Sequence, residues 1–188
     1  NPSPFMGLLE GEGWAVVSGS PERLFQKVGP RVLARPIAGT RPRGRTEAED
    51  LALERELLAS PKERAEHVML LDLLRNDLAR VARPGTVRVR ELFTVERYAH
   101  VMHLVSEVEG RTGASLGEVF QSLFPGGTIT GAPKGTVMEA IRELEPVPRG
   151  AYTGSLGYVS GRGADFNILI RSFQKVGEEV LFSAGAGV

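Results

Sequence analysis

Glu63 and Glu66 stand three residues apart in Pro61-Lys-Glu-Arg-Ala-Glu-His67. On a helix this spacing puts both carboxylates on one face, where their hard oxygens suit a divalent cation. Glu63 also has a purely local explanation, because Ser60-Pro61-Lys62-Glu63 is a capping box with proline at the first helical position. Glu66 has no such role. It lies in a run predicted to be buried nearly all round (Val68, Met69, Leu70, Leu71, Leu73, Leu74, Leu78), and a buried carboxylate needs a partner or a metal.

A second chemical segment is Pro125-Gly-Gly-Thr-Ile-Thr-Gly-Ala-Pro-Lys134, a glycine loop with hydroxyls ahead of a helix. Free N–H groups at a helix start favour an anion, a carboxylate or a phosphate. The Gly-Lys-Ser/Thr order of a nucleotide-binding loop is absent. His100 and His103 fall in a strand-like run, where positions three apart face opposite sides and do not ligate one metal together. One of them is expected to face the interior. Gly185 and Gly187 offer bare backbone N–H groups to a ligand, while nothing local marks Tyr152 or Arg171 as functional. Arg35-Pro-Ile-Ala-Gly-Thr-Arg-Pro-Arg-Gly44 reads as a basic tether, an anion-binding loop or a surface turn, with Ala38 carrying no functional group at its middle.

The elements that position these residues follow from period and punctuation. Strands are predicted at 14–18, ended by Gly19-Ser20-Pro21, and at 31–34, where Pro36 argues against a central strand. Thr46 and Glu49 start a helix reaching about Leu58, and Ser60 starts another reaching 77–81. Residues 86–92 alternate as an edge strand, and 100–109 form a further strand. A short helix at 116–123, a flexible loop at 126–131 and a helix at 133–144 come next, then strands at 155–160, 167–174 and 180–183. Helices and strands mix without regular alternation, so the class is α+β.

Composition narrows the partners. With 23 basic and 23 acidic residues in 188, the chain lacks the basic excess of a nucleic-acid binder. No cysteine is present, which removes disulfides and thiolate metal sites and suits a cytoplasmic protein. No apolar run approaches a membrane span. Both ends read as cut, so 1–188 is expected to be one domain truncated at both ends, with little activity by itself.

Taken in order, the motifs resemble the chorismate-utilising enzymes, most closely the chorismate-binding subunits that make anthranilate. The matching pieces are Asn1-Pro-Ser-Pro-Phe-Met6, Ser20-Pro-Glu-Arg23, Arg35 to Gly44, Pro61 to His67, Asp72-Leu-Leu-Arg-Asn-Asp77 and Glu96 to His103. Phe124-Pro-Gly-Gly-Thr128, Gly131-Ala-Pro-Lys134, Arg149-Gly-Ala-Tyr152 and Ala184-Gly-Ala-Gly187 complete the set. The resemblance implies two antiparallel sheets enclosing the site, with helices outside. It implies Mg2+ bound by Glu66 with help from Glu63, and ring contacts from Thr128 and the Ala38-Gly39-Thr40 backbone. His103 would stand beside the departing C4 hydroxyl and supply a proton or hydrogen bond there. Tyr152, Arg171, Gly185 and Gly187 would hold the enolpyruvyl carboxylate. Ammonia would come from a glutamine amidotransferase subunit. Pro4, Phe5 and Met6 would contact L-tryptophan as feedback inhibitor, with Phe5 standing where the family usually has tyrosine. Relatives making 4-amino-4-deoxychorismate commonly carry lysine at position 38, so Ala38 implies amination at C2. Aminodeoxychorismate synthesis by a member lacking the lysine, and a noncatalytic chorismate-binding module, are the alternatives.

Overall fold

The computed structural model describes residues 2–185. The chain opens with a hairpin of β1 (Phe5–Gly11) and β2 (Trp14–Ser20), turning at Gly13 with φ +74°. Pairing with β1 carries β2 past the predicted turn as far as Ser20, and Pro21 ends it. β3 (Arg23–Val28) follows, then β4 (Arg31–Arg35) and β5 (Ile37–Pro42) on either side of Pro36.

The sequence argument kept the Pro36 stretch away from the sheet centre, and here it is corrected. β4 and β5 lie end to end along one edge of β7 (Val101–Arg111), while β6 (Arg88–Arg97) takes the other edge. Pro36 occupies the joint, where no N–H is required, and its carbonyl accepts from Ser106 N at 3.3 Å. β6 is an edge strand, as its alternation predicts.

α1 (Glu47–Ala59) and α2 (Pro61–Ala79) begin at their predicted caps, Thr46 and Ser60. α2 is not buried all round. His67, Leu70, Leu71, Asp77 and Leu78 are buried, whereas Val68 and Met69 remain half-exposed and Glu66 exposed. α3 (Leu116–Leu123) carries a full Ser115–Glu118 capping box. The loop predicted at 126–131 contains a helical turn, α4 (Gly127–Thr130), and α5 (Lys134–Leu144) comes after it. The remaining strands are β8 (Gly157–Ser160), β9 (Gly163–Asn167), β10 (Ser172–Val176) and β11 (Glu179–Phe182). The single strand predicted at 167–174 is broken, because Arg171 takes φ +51° between β9 and β10.

Among the described residues all strand pairings are antiparallel. One sheet has the order β1-β2-β10-β11, and the larger combines β3 to β9 with β7 as its long central strand. The two-sheet α+β expectation therefore holds. Leu71 and Leu78 of α2 pack with Phe25, Val32, Val108, Val119 and Leu123, while Leu57 of α1 packs on Met102 and Leu104. Each fully buried side chain of this kind contributes about 1.5–3 kcal/mol. These contacts anchor the helices against the sheet that carries the chemically interesting residues. Among the described residues no helix is long and apolar enough to cross a membrane.

Candidate active site

The site grows from a bulge in β5. Pairing passes from Ile37 opposite Val105 to Thr40 opposite His103, so Ala38 and Gly39 face Leu104 alone. Gly39 takes φ +98°, and a Cβ there would lie 3.1 Å from Leu57 Cδ1 and 3.2 Å from Glu63 Oε2. Gly39→Ala is therefore expected to destabilise the chain by about 1–3 kcal/mol, read as a lower urea midpoint. The bulge delivers the Thr40 hydroxyl to His103, with Oγ1 and Nδ1 2.9 Å apart. On the other side of the ring, an Arg171 terminal nitrogen lies 3.5 Å from Nε2. Tyr98 packs on the same imidazole, with centroids 5.6 Å apart. Of the two histidines considered in sequence, His103 is buried at 2% exposure, while His100 lies exposed outside β7.

Burial and the Arg171 charge lower the His103 pKa to about 4, against smaller opposing effects of Glu96 and the Gly39 backbone. The ring is thus neutral at pH 7, and it is better suited to hydrogen bonding than to supplying a proton of its own. The opposite case is Glu22, in the link between β2 and β3. Desolvation raises its pKa to about 7, only partly offset by Thr128, the Ile37 backbone and Arg171. Thr128 lies against Glu22 on α4, yet its buried hydroxyl lacks a partner with hydrogen-bond geometry. A carboxylic acid that holds its proton near neutral pH, beside a vacant hydroxyl, is suited to acid–base work.

Arg171 is exposed and makes no ion pair with the other described residues. Its guanidinium is available to an anion. Tyr152 lies in the turn after α5, and a Cβ at Gly185 would sit 3.0 Å from its hydroxyl, so these two approach closely. Gly187 falls outside the described residues. The three arginines of residues 35–44 are engaged in ion pairs. Arg35 pairs with Glu91, Glu96 and Glu107, Arg41 with Glu56 and Glu63, and Arg43 with Asp50. This segment is neither a free tether nor an anion loop. Lys134, at the start of α5, is likewise spoken for by buried Asp77 at 2.5 Å.

The carboxylates predicted for a metal have different surroundings from those expected. Ser60 caps Glu63 N at 3.3 Å, but the Glu63 side chain does not complete the box; Oε1 accepts from Arg41 at 3.0 Å. Exposure of Glu66 removes the argument from buried charge. Both supply oxygens of the type Mg2+ takes, and Mg2+ commonly keeps waters alongside one or two carboxylates and a substrate oxygen. Among the described residues no third acidic or histidine ligand joins them. The pair fits the ion in donor type and needs oxygens from elsewhere to close a site.

Pro4, Phe5 and Met6 line a cavity of about 370 Å³ with Gly157, Tyr158 and Asp165. Asn167 fixes its floor, donating to Phe5 O at 2.9 Å. Sequence reasoning assigned no role to Glu22, His67 or Tyr98. Glu22 lies in the quoted Ser20-Pro-Glu-Arg23 motif, where a carboxylate at a strand-to-strand joint was the available signal. His67 and Tyr98 carry no local mark; their roles depend on which strands meet.

The chorismate binding enzyme family matches residues 1–188. Aminodeoxychorismate synthase component 1 of Bacillus subtilis is 52% identical over the whole chain, which covers 41% of that relative. Anthranilate synthase component 1 of Streptomyces coelicolor is 54% identical over the whole chain, which covers 38% of it. The crystal structure of anthranilate synthase component I from Streptococcus pneumoniae superposes with a TM-score of 0.87 at 36% identity, over 96% of this chain and 40% of that one. The chain thus spans about two fifths of the length of the relatives it matches. With a match from end to end and the same two-sheet fold, it belongs to the chorismate binding enzyme family.

Proposed function

We propose that this chain supplies much of the site of an enzyme converting chorismate and ammonia to anthranilate and pyruvate, with water lost from C4. The observation carrying the reading is the grouping of an unpaired Arg171, a neutral His103 and a proton-holding Glu22 around a bulge whose residue 38 is alanine.

Arg171, with Tyr152, holds the enolpyruvyl carboxylate by charge-assisted hydrogen bonds. The ammonia nitrogen forms its bond to C2 as the ring double bonds shift and the C4–O bond breaks. The departing hydroxyl takes a proton and leaves as water; Glu22, whose raised pKa of about 7 leaves part of it protonated at neutral pH, is the proposed donor. His103, kept neutral and oriented by Thr40, orients that hydroxyl. Loss of the C2 proton and of the enolpyruvyl ether as pyruvate then leaves the aromatic aminobenzoate. Glu66 and Glu63 would hold Mg2+, which when bound offsets the charge of the ring carboxylate. A glutamine amidotransferase subunit is the proposed ammonia source, and the cavity at Pro4, Phe5 and Met6 is the proposed feedback site for L-tryptophan.

Ala38 favours C2 because it offers no amine to attack the ring. Ala38→Lys is expected to lower anthranilate formation at least roughly tenfold, read by anthranilate fluorescence; an unchanged rate would count against placing residue 38 beside the ring. The relative named aminodeoxychorismate synthase in Bacillus subtilis favours a second reading, amination at C4 by an enzyme without the lysine. Product analysis decides between them. A full-length polypeptide carrying this sequence, given chorismate, ammonium and Mg2+, should yield ortho-aminobenzoate; 4-amino-4-deoxychorismate would establish the second reading, and no turnover a binding module.

A further inference from the structure

Two strands beside β7 are bulged at nearly the same level. In β5, Ala38 and Gly39 share Leu104; in β6, pairing passes from Glu91 opposite Glu107 to Thr94 opposite Val105, so Leu92 and Phe93 share Ser106. Phe93 takes φ +57°, a conformation costly for a residue with a side chain. Bulges remove backbone groups from the ladder, and buried groups so released need other partners.

One imidazole and one hydroxyl serve both bulges. His67 reaches in from α2 with Nδ1 3.1 Å from Ala38 O, and its Nε2 lies 2.7 Å from Ser106 Oγ. Phe93 N–H donates to the same Ser106 Oγ at 3.1 Å. Both side chains are fully buried. A carbonyl only accepts, so Nδ1 carries the ring proton; Nε2 then accepts, and the Ser106 hydroxyl donates to it. The order is fixed from one bulge to the other: Phe93 N–H to Ser106, Ser106 to His67, His67 to the Ala38 carbonyl.

The residues just beyond that carbonyl are Gly39 and Thr40, and Thr40 is the partner of His103 Nδ1. We infer that His67, with Ser106, is a positioning residue, which holds the Ala38–Gly39 bulge in the one geometry that lets Thr40 orient His103. Nothing in this role requires contact with substrate. The role depends on the proposed function only in taking His103 as a substrate-facing group.

The test separates the two ring nitrogens. His67→Asn keeps an amide N–H near the place of Nδ1, whereas His67→Gln moves it toward the place of Nε2 and leaves the Ala38 carbonyl unserved. In a full-length polypeptide carrying this sequence, Asn is expected to keep kcat within about threefold. Gln is expected to lower kcat roughly tenfold to a hundredfold with KM little changed. A second readout needs no turnover. With only three histidines in these 188 residues, selective labelling and assignment by substitution resolve their ring nitrogens by 15N NMR. His67 should show a protonated Nδ1, and the His103 signals should move in His67→Gln and in Ser106→Ala but stay in place in His67→Asn. Equal kcat for the Asn and Gln variants, a protonated Nε2 on His67, or unmoved His103 signals in Gln would overturn the inference. If the unsubstituted enzyme leaves chorismate untouched while the His103 signals respond as expected, the positioning role stands and the functional reading fails alone.

Discussion

Glu22→Gln is expected to lower turnover by roughly a hundredfold to ten-thousandfold, the usual range for a general acid or base, while leaving KM for chorismate nearly unchanged. Gln has almost the same shape and keeps a hydrogen-bonding head, but it has no proton to give to a departing hydroxyl. The substitution also has a stability signature. Because the folded-state pKa of Glu22 is raised from 4.5 to about 7, its protonated form favours folding below pH 4.5, and that contribution is lost as pH rises to about 7. His103 has the opposite sign, since its pKa is lowered from 6.5 to about 4. Its contribution is present above pH 6.5 and lost as pH falls through 4. In the unsubstituted chain the two nearly offset between pH 4.5 and 6.5. In Glu22→Gln only the histidine effect remains, so the variant should gain stability over that interval. The gap relative to the unsubstituted chain should widen by about 3 kcal/mol from pH 4.5 to 8, at about 1.4 kcal/mol per pKa unit. Thermal or urea midpoints at the two pH values measure it. Turnover within a few-fold of the unsubstituted enzyme would remove Glu22 from the chemistry, and a gap that does not change with pH would contradict its raised pKa.

Arg171→Ala is expected to raise KM for chorismate roughly tenfold to a hundredfold, since a hydrogen bond to a charged group is worth about 1.5–3 kcal/mol. Stability should change by no more than about 0.5 kcal/mol, because the side chain is exposed and has no carboxylate partner among the described residues. The same charge helps hold the His103 pKa down, so its removal should move the His103 titration upward from about 4. A KM that stays put while the His103 titration moves would leave Arg171 an electrostatic neighbour of the site rather than a substrate ligand.

Much of the scaffold could be read in advance, for local reasons. Thr46 and Ser60 act as N-caps where their spacing to Glu49 and Glu63 says they should, because capping is decided within four residues. The predicted burial of α2 failed because counting apolar residues does not say how much protein surrounds the helix; Val68 and Met69 face outward. The sheet centre was misjudged because proline forbids a ladder donor only where one is needed. Pro36 sits at a joint between two strands that share one neighbour.

The site could be anticipated only as far as motif likeness carried it: His103, Thr40 and Arg171 do come together at one imidazole, although nothing local marks Arg171. It was opaque where the environment makes the chemistry. Nothing in Ser20-Pro-Glu-Arg23 announces that Glu22 is desolvated, since the groups that enclose it, Thr128 and Ile168 among them, come from distant segments. Similarly, a histidine after Glu66 gains its meaning only when the bulges on the two sides of β7 come together beneath it. The local reading of the two glutamates failed for the same reason: the capping glutamate turned to Arg41, and Glu66, expected to be buried, turned to solvent.

The central claim is that His103 and Arg171 face chorismate. Its most direct test is a chorismate titration of a full-length polypeptide carrying this sequence, followed at the histidine ring nitrogens by 15N NMR. The account predicts a saturable shift of His103 with none at His100, weakened at least tenfold in Arg171→Ala. Saturating chorismate that leaves His103 unmoved would contradict it.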